Sequence, residues 1–127
     1  MIQEAYVSFE VAKLLKEKGF DESCVCKYIK TPHGIKTSMD TNSPTNSDLK
    51  LLYENCEFCS APTHQMVMAW LRKKYGVFIQ HSPCNSITAC IYNIYYDRCK
   101  CYTTPYCFDE YDDATEDALK YALENLI

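Results

Sequence analysis

The chain contains little glycine, with three glycines among its 127 residues. Gly19 and Gly76 come where helices are predicted to end, and Gly34 lies in a turn-like stretch. Phosphate-binding loops, dinucleotide-binding turns and nucleophile elbows need glycines close together, because the backbone turns sharply or approaches a ligand there. No two glycines are near each other in this sequence. Nucleotide-dependent chemistry by the common routes is therefore excluded.

Long apolar runs are also lacking. The beginning, Met1 to Tyr6, has no basic stretch followed by an apolar segment, and the apolar runs elsewhere are short. We therefore predict neither a signal peptide nor a membrane span. Nine cysteines are present, but an odd number cannot all pair in disulfides. These two observations together predict a protein of the reducing cytoplasm.

The composition is that of an ordinary globular protein, with 47% hydrophobic and 24% charged residues. A chain of 127 residues fits one domain, 1–127. The net charge of −4 is unevenly spread, because seven acidic residues and one lysine fall in 109–127. Such an acidic end repels phosphate backbones and suits a basic protein partner, although a solvated helix face is the favoured explanation.

The first half predicts one helix, one strand and a long loop. Ser8 is a plausible N-cap for a helix in which apolar residues recur at helical spacing. Strand-forming residues fill 24–29. Polar residues dominate 31–48, which predicts a flexible loop with a hairpin turn at 32–34. The stretch 49–53 fits either a short strand or a helical turn.

The second half predicts two helices around three strands. Thr63 caps a helix that ends at Gly76, and a final helix is capped by Asp112 or Asp113. The apolar residues of the final helix fall on one stripe: Ala118, Leu119, Ala122, Leu123 and Leu126. The strands between them are predicted at 77–81, 87–96 and 100–103, the first two as a hairpin. The long strand lacks a polar face, which indicates a central position in its sheet. We therefore predict an α+β fold, with an antiparallel sheet of three to five strands and about three helices packed on one face.

The cysteines suggest a small structural zinc module. Cys56 and Cys59 have the two-residue spacing of a zinc knuckle. A structural zinc needs two further ligands, for which the candidates are Cys24 with Cys26, Cys99 with Cys101, or His64. The alternative is that these cysteines are small apolar side chains in strands and core.

Aromatic residues suggest a second alternative, nucleic-acid binding. Six of the 11 tyrosines cluster on and just after the predicted sheet: Tyr92, Tyr95, Tyr96, Tyr102, Tyr106 and Tyr111. Tyrosines on an open sheet face can stack on nucleobases, although strand propensity and core packing also explain them. The order helix, three strands, helix resembles double-stranded RNA-binding domains. The acidic start of the last helix has the wrong charge for such a domain, which argues against nucleic acid.

The histidines and cysteines form no recognisable catalytic motif, so no pairing with His33, His64 or His81 is favoured. We expect His81 to be a partly buried strand residue and His64, in the first turn of its helix, to face solvent.

Three phrases resemble a known group of proteins. They are Phe9 to Asp21, Ala61-Pro62-Thr63-His64-Gln65 leading to Trp70-Leu71-Arg72, and the closing helix from Ala118 to Leu126. Together they are similar to small uncharacterised α+β proteins from gut anaerobic bacteria, their phages and their mobile elements. The resemblance implies no activity, cofactor or catalytic residue.

Exclusion and resemblance together predict a non-enzymatic, cytoplasmic accessory protein of a phage, mobile element or gut bacterium. We expect it to act by macromolecular binding, with a protein as its partner and without a membrane. No catalytic, cofactor-binding or metal-binding residue is assigned, and a homo-oligomer is left open.

Overall fold

A computed structural model describes residues 3–52, 57–84 and 87–127 of the chain. Over these ranges the chain has four helices and two three-stranded antiparallel sheets, which confirms the α+β class. The strands form two sheets instead of the one predicted, and a short strand at Glu57–Ser60, which the sequence did not reveal, completes the first of them. How the helices are distributed over the sheet faces stays a prediction. None of the described helices has the length and apolarity needed to cross a bilayer.

The chain groups into two compact units. The first unit is Tyr6–Thr63, and the second unit is His64–Ile127 together with Met1–Ala5. The single domain expected from the chain length stays a prediction.

The first unit begins with helix α1 (Phe9–Glu17). It starts after Ser8, as predicted, because the Ser8 hydroxyl accepts a hydrogen bond from the Val11 N–H at 3.2 Å. It ends before Gly19, whose φ of +86° lies in the left-handed region that glycine adopts without strain. Its buried residues are Val11, Ala12 and Leu15.

A three-stranded sheet and a second helix complete the first unit. Strands β1 (Cys26–Thr31) and β2 (Gly34–Met39) form a hairpin, and β3 (Glu57–Ser60) pairs with the other side of β1. Helix α2 (Asn46–Leu52) precedes β3 and settles the undecided stretch, over 49–52, as helix.

The predicted flexible loop at 31–48 is corrected, because this stretch holds β2 and the beginning of α2. β2 is polar, yet it pairs with β1 from Cys26↔Met39 to Thr31↔Gly34. A strand gains backbone hydrogen bonds from its neighbour whatever its composition, so composition alone underestimated the order. The turn expected at 32–34 is present, with Pro32 and His33 between the paired residues.

The second unit contains helix α3 (His64–Tyr75), strands β4 (Phe78–Pro83), β5 (Cys90–Tyr96) and β6 (Lys100–Thr103), and helix α4 (Tyr111–Asn125). The sheet order is β4-β5-β6, which confirms the predicted hairpin and the central position of the long strand. That strand begins at Cys90 rather than at residue 87. α4 packs along β5 and buries Ala118, Leu119, Ala122 and Leu123, four members of its predicted apolar stripe.

Helix α4 begins earlier than predicted. Its N-cap is Glu110, which makes no side-chain capping hydrogen bond, so neither Asp112 nor Asp113 is the cap. The chain is held just before this point, because Phe108 and Cys90 exchange two backbone hydrogen bonds at 2.8 and 2.9 Å. This anchor sets where the helix begins. The two aspartates lie in its first turn, where the helix dipole favours negative charge.

Candidate functional site

The cysteines proposed as zinc ligands are divided between the two units. Cys56 lies outside the described residues. Its partner Cys59 is buried on β3, where burial raises the pKa of the thiol to about 11. Burial also raises the pKa of Cys24 to about 11. Burial therefore favours the protonated thiols when no metal is bound, and a metal ion would have to displace these protons.

The remaining cysteines do not complete a metal site within the described ranges. Cys26 is buried on β1 in the first unit, whereas Cys99 and Cys101 are exposed in the second. Over residues 3–52, 57–84 and 87–127, no three His, Cys, Asp or Glu side chains come together in a group that could hold a metal ion. The zinc alternative therefore gains no ligand set from the described part of the chain.

One pair of cysteines is joined in a disulfide that the sequence did not reveal. Cys84 follows β4 and is bonded to Cys107, which lies shortly before α4. The bond links the connection between β4 and β5 to the connection between β6 and α4. The spacing of nine cysteines carries no signal for this pairing.

His64 is buried rather than exposed, so the solvent-facing position predicted for it is wrong. Its side chain is 5% exposed, and its Nε2 lies 2.9 Å from Oε1 of Glu116 on α4. The first turn of α3 packs against α4, and this packing removes the imidazole from solvent. Nδ1 has no hydrogen-bond partner in the described part of the chain.

His81 is partly buried on β4, as predicted. Its Nε2 lies 2.8 Å from the Thr115 hydroxyl, which donates its own hydrogen to the Tyr111 carbonyl at 3.0 Å. The hydroxyl must therefore accept from His81, which places the proton on Nε2 and leaves Nδ1 as an acceptor. The imidazole also stacks on the Tyr111 ring at 3.9 Å between centroids.

His81 and Tyr111 line an open cleft of about 410 Å³ together with Cys90 and Glu110. Burial raises the pKa of the Cys90 thiol, and burial, with a smaller effect of nearby His64, lowers the pKa of His81. Both groups are therefore favoured in their neutral forms. Cysteine catalysis needs a thiolate beside an imidazolium, and this cleft favours the opposite protonation states.

The lowered pKa of His81 predicts a loss of stability in mild acid. Below its ordinary value of 6.5, the unfolded chain binds a proton that the folded chain resists. The free energy of unfolding should thus fall as the pH drops below about 6.5, and it should level off below the folded pKa. In urea titrations between pH 7.5 and 5, His81→Gln should show a weaker pH dependence than the wild type. Equal pH dependence of the two proteins would contradict the lowered pKa of His81.

The tyrosine cluster does not form one surface. Tyr92 is fully buried and donates a hydrogen bond to Asp117, and Tyr102 stacks on Tyr121 of α4 at 3.8 Å. Tyr95, Tyr106 and Tyr111 are exposed, but Tyr95 alone of these three lies on a strand. Packing between the sheet and α4 therefore explains Tyr92 and Tyr102.

Within the described part of the chain, strand β2 pairs with β1 on one side only and presents a free backbone edge on the other. The Asp40 N–H bonds to the Val25 carbonyl at 2.7 Å, so these residues form a hydrogen-bonded pair. Such pairs alternate along an antiparallel ladder, so the even-numbered residues of β2 bond to β1. The N–H and C=O groups of Ile35, Thr37 and Met39 therefore point away from the sheet.

The same three residues present exposed side chains. Ile35 is 48% exposed and Met39 60% exposed, and Thr37 between them is exposed as well. Alternate residues of a strand share one face, so these side chains form a row. Lys36 is exposed on the opposite face. The alternation could have been found from the sequence if 31–48 had not been assigned as a loop.

The structure thus offers two kinds of surface: a free strand edge in the first unit and, in the second, a cleft in which His81 and Cys90 are favoured in their neutral forms. No protein-family model, curated protein or solved structure matches the chain.

Proposed function

We propose that this chain is a non-enzymatic binding protein that takes an extended segment of a partner protein along the free edge of β2. One observation carries the proposal. Ile35, Thr37 and Met39 direct their backbone hydrogen-bonding groups outward and present their side chains in one exposed row. An added strand would pair with the backbone groups and cover the row, which is how peptides bind by strand addition.

The edge carries only part of the protection that unused edges usually carry. Proteins block free edges with proline, with charged side chains, above all lysine, or with a bulge. β2 contains no proline, its paired register with β1 is unbroken, and Lys36 is its one protective charge. Lys36 also indicates the charge of the partner segment, because acidic residues on the matching face of an added strand would complement the lysine. We therefore expect alternating apolar and acidic residues in the bound segment.

The biological setting is proposed on the sequence alone. The resemblance to proteins of gut bacteria and their phages supports an accessory role, and the odd number of cysteines supports the cytoplasm. The Cys84–Cys107 disulfide argues against the cytoplasm, because disulfide bonds rarely persist in reducing compartments.

The edge geometry predicts an alternating pattern of amide hydrogen exchange in β2. The amides of Lys36 and Ser38 bond to β1 and should exchange slowly, whereas those of Ile35, Thr37 and Met39 should exchange quickly. Exchange followed by NMR resolves single amides and checks this. Equal protection at all five positions would show that the edge is not free.

Binding is tested with a displayed library of random peptides selected on the wild-type chain. The enriched peptides should lose affinity more than about tenfold for Thr37→Pro, because proline removes an outward N–H and obstructs pairing. Thr37 does not donate to β1, so this proline should leave the fold intact, as proline at strand edges does. Thr37→Val is the matched control, since it keeps the N–H and the branched shape, and it should bind normally.

Two outcomes would contradict the proposal. One is that no peptide is enriched on the wild-type chain. The other is that the enriched peptides bind Thr37→Pro as tightly as the wild type. A wild-type dimer that Thr37→Pro converts to a monomer would support the edge as a binding site and identify the partner as a second copy of the chain.

A further inference from the structure

The sheet of the second unit has one face that its helices leave open. Phe78 on β4 is paired with Tyr95 on β5, and both side chains are exposed, by 52% and 43%. Residues on the other face, such as Tyr92 and Ile94, are buried, and the Tyr92 hydroxyl bonds to α4. Phe78 and Tyr95 therefore form an aromatic pair on the solvent side of the sheet.

A row of polar side chains lies beside this aromatic pair on the same face. Gln80, Asn93 and Thr103 occupy the next pairing positions on β4, β5 and β6. The Tyr95 hydroxyl donates to Gln80 at 3.2 Å, and the Thr103 hydroxyl donates to Asn93 at 2.7 Å. The amide groups retain further donors and acceptors for a ligand.

Basic residues gather at the end of the sheet that carries the aromatic pair. The last turn of α3 contains Arg72, Lys73 and Lys74, all exposed, and leads directly into Phe78. The β5–β6 turn follows Tyr95 closely and contributes Arg98 and Lys100, also exposed. Because Phe78 and Tyr95 are paired, the two groups of cations lie at the same end of the sheet. Asp97, which bonds to Lys100 at 3.2 Å, is the acidic residue of this turn.

The acidic residues that argued against nucleic acid lie near the other end of the sheet. Phe108 is bridged to Cys90, the first residue of β5, and Tyr95 is near the last. The exposed acids Asp109, Glu110, Asp112 and Asp113 follow Phe108 directly. The structure thus separates charges that the sequence presents only as a net negative second half.

From this juxtaposition we propose that the open face binds single-stranded nucleic acid, with bases stacked on Phe78 and Tyr95 and phosphates held by the basic end. Exposed aromatic side chains on a sheet stack on unpaired bases, and adjacent cations neutralise the backbone. The polar row supplies hydrogen bonds to base edges. Bases in a duplex are already stacked on each other, so the ligand must be single-stranded.

The test is fluorescence anisotropy of labelled oligonucleotides of about ten nucleotides, a length that covers a typical single-strand site. Oligouridine and oligothymidine are compared with a duplex of equal length at low salt. The wild type should bind a single strand more tightly than the duplex, and added salt should weaken binding. The two single strands show whether ribose or deoxyribose is preferred.

Variants locate the site. Phe78→Ala combined with Tyr95→Ala should weaken binding at least about tenfold, because each lost stacking partner is costly. Phe78→Tyr keeps an aromatic ring at this position and should retain the wild-type affinity. Tyr106→Ala removes an exposed aromatic side chain outside the strands and should leave the affinity unchanged. Lys73→Gln should lower the salt dependence by about one released ion. Amide shifts of Gln80, Asn93 and Thr103 on titration with oligouridine report the same site without substitution.

The proposal is overturned by any of three results: no binding by the wild type at low salt, equal affinity for the duplex, or full affinity in the Phe78 and Tyr95 double variant. It is independent of partner binding at β2, since the two surfaces belong to different units and Thr37→Pro should leave oligonucleotide binding unchanged.

Discussion

Asn46→Ala is expected to lower the free energy of unfolding of the first unit by about 2–6 kcal/mol. The Asn46 amide nitrogen donates to the Phe20 carbonyl at 2.8 Å, and its carbonyl accepts from the Ser60 N–H at 2.9 Å. All three residues are buried. Alanine would remove both of these buried hydrogen bonds, and the loss of each costs about 1–3 kcal/mol. One side chain thus links the end of α1 to β3.

Urea unfolding of the variant and the wild type measures this difference. Asn46→Asp is the matched control, because it keeps the acceptor for Ser60 but loses the donor to Phe20, and it should also be destabilised. Asn42→Ala removes an exposed side chain of the same type and should change stability by less than about 0.5 kcal/mol. A loss below this value for Asn46→Ala would show that water replaces both hydrogen bonds.

Asn46 also illustrates how far the sequence predicts the first unit. The Ser8 cap and the apolar spacing of α1 are local signals, and they predicted the helix correctly. β2 depends on pairing with β1 across a two-residue turn, and the start of α2 depends on Phe20, which is 26 residues away. Composition describes 31–48 as polar and therefore missed both. Asn46 in particular was predicted to be one of several polar loop residues, whereas its amide group bonds to the backbone of two buried residues, Phe20 and Ser60.

In the second unit, local sequence patterns predicted the helices and strands better than they predicted which side chains are buried. The hairpin, the central strand and the stripe on α4 followed from periodicity. The burial of His64 did not, because it depends on Glu116, which is 52 residues away. The open sheet face could be recognised only once the strand register was known, because the sequence does not show that Phe78 is paired with Tyr95. Sequence reasoning grouped Tyr95 with Tyr92, although the two point to opposite faces.

Reduction of the Cys84–Cys107 disulfide is expected to lower the free energy of unfolding by about 3 kcal/mol, which corresponds to a fall in Tm of about 10 °C. The bond joins residues separated by 23 positions, and this closed loop restricts the unfolded chain. Thermal unfolding with and without reductant measures the change. Cys84→Ala combined with Cys107→Ala should melt where the reduced wild type melts, and reductant should not shift it further.

The exposed thiols need their own control, because Cys99 and Cys101 can link two chains when oxidised. Cys99→Ser combined with Cys101→Ser should keep the full response to reductant if Cys84–Cys107 is responsible. Mass spectrometry after thiol blocking should find one peptide pair joined through Cys84 and Cys107, and reduction should add two hydrogens to it. Protein isolated with both thiols free, and with a melt that reductant does not change, would contradict the bond and favour the reducing cytoplasm that the sequence predicts.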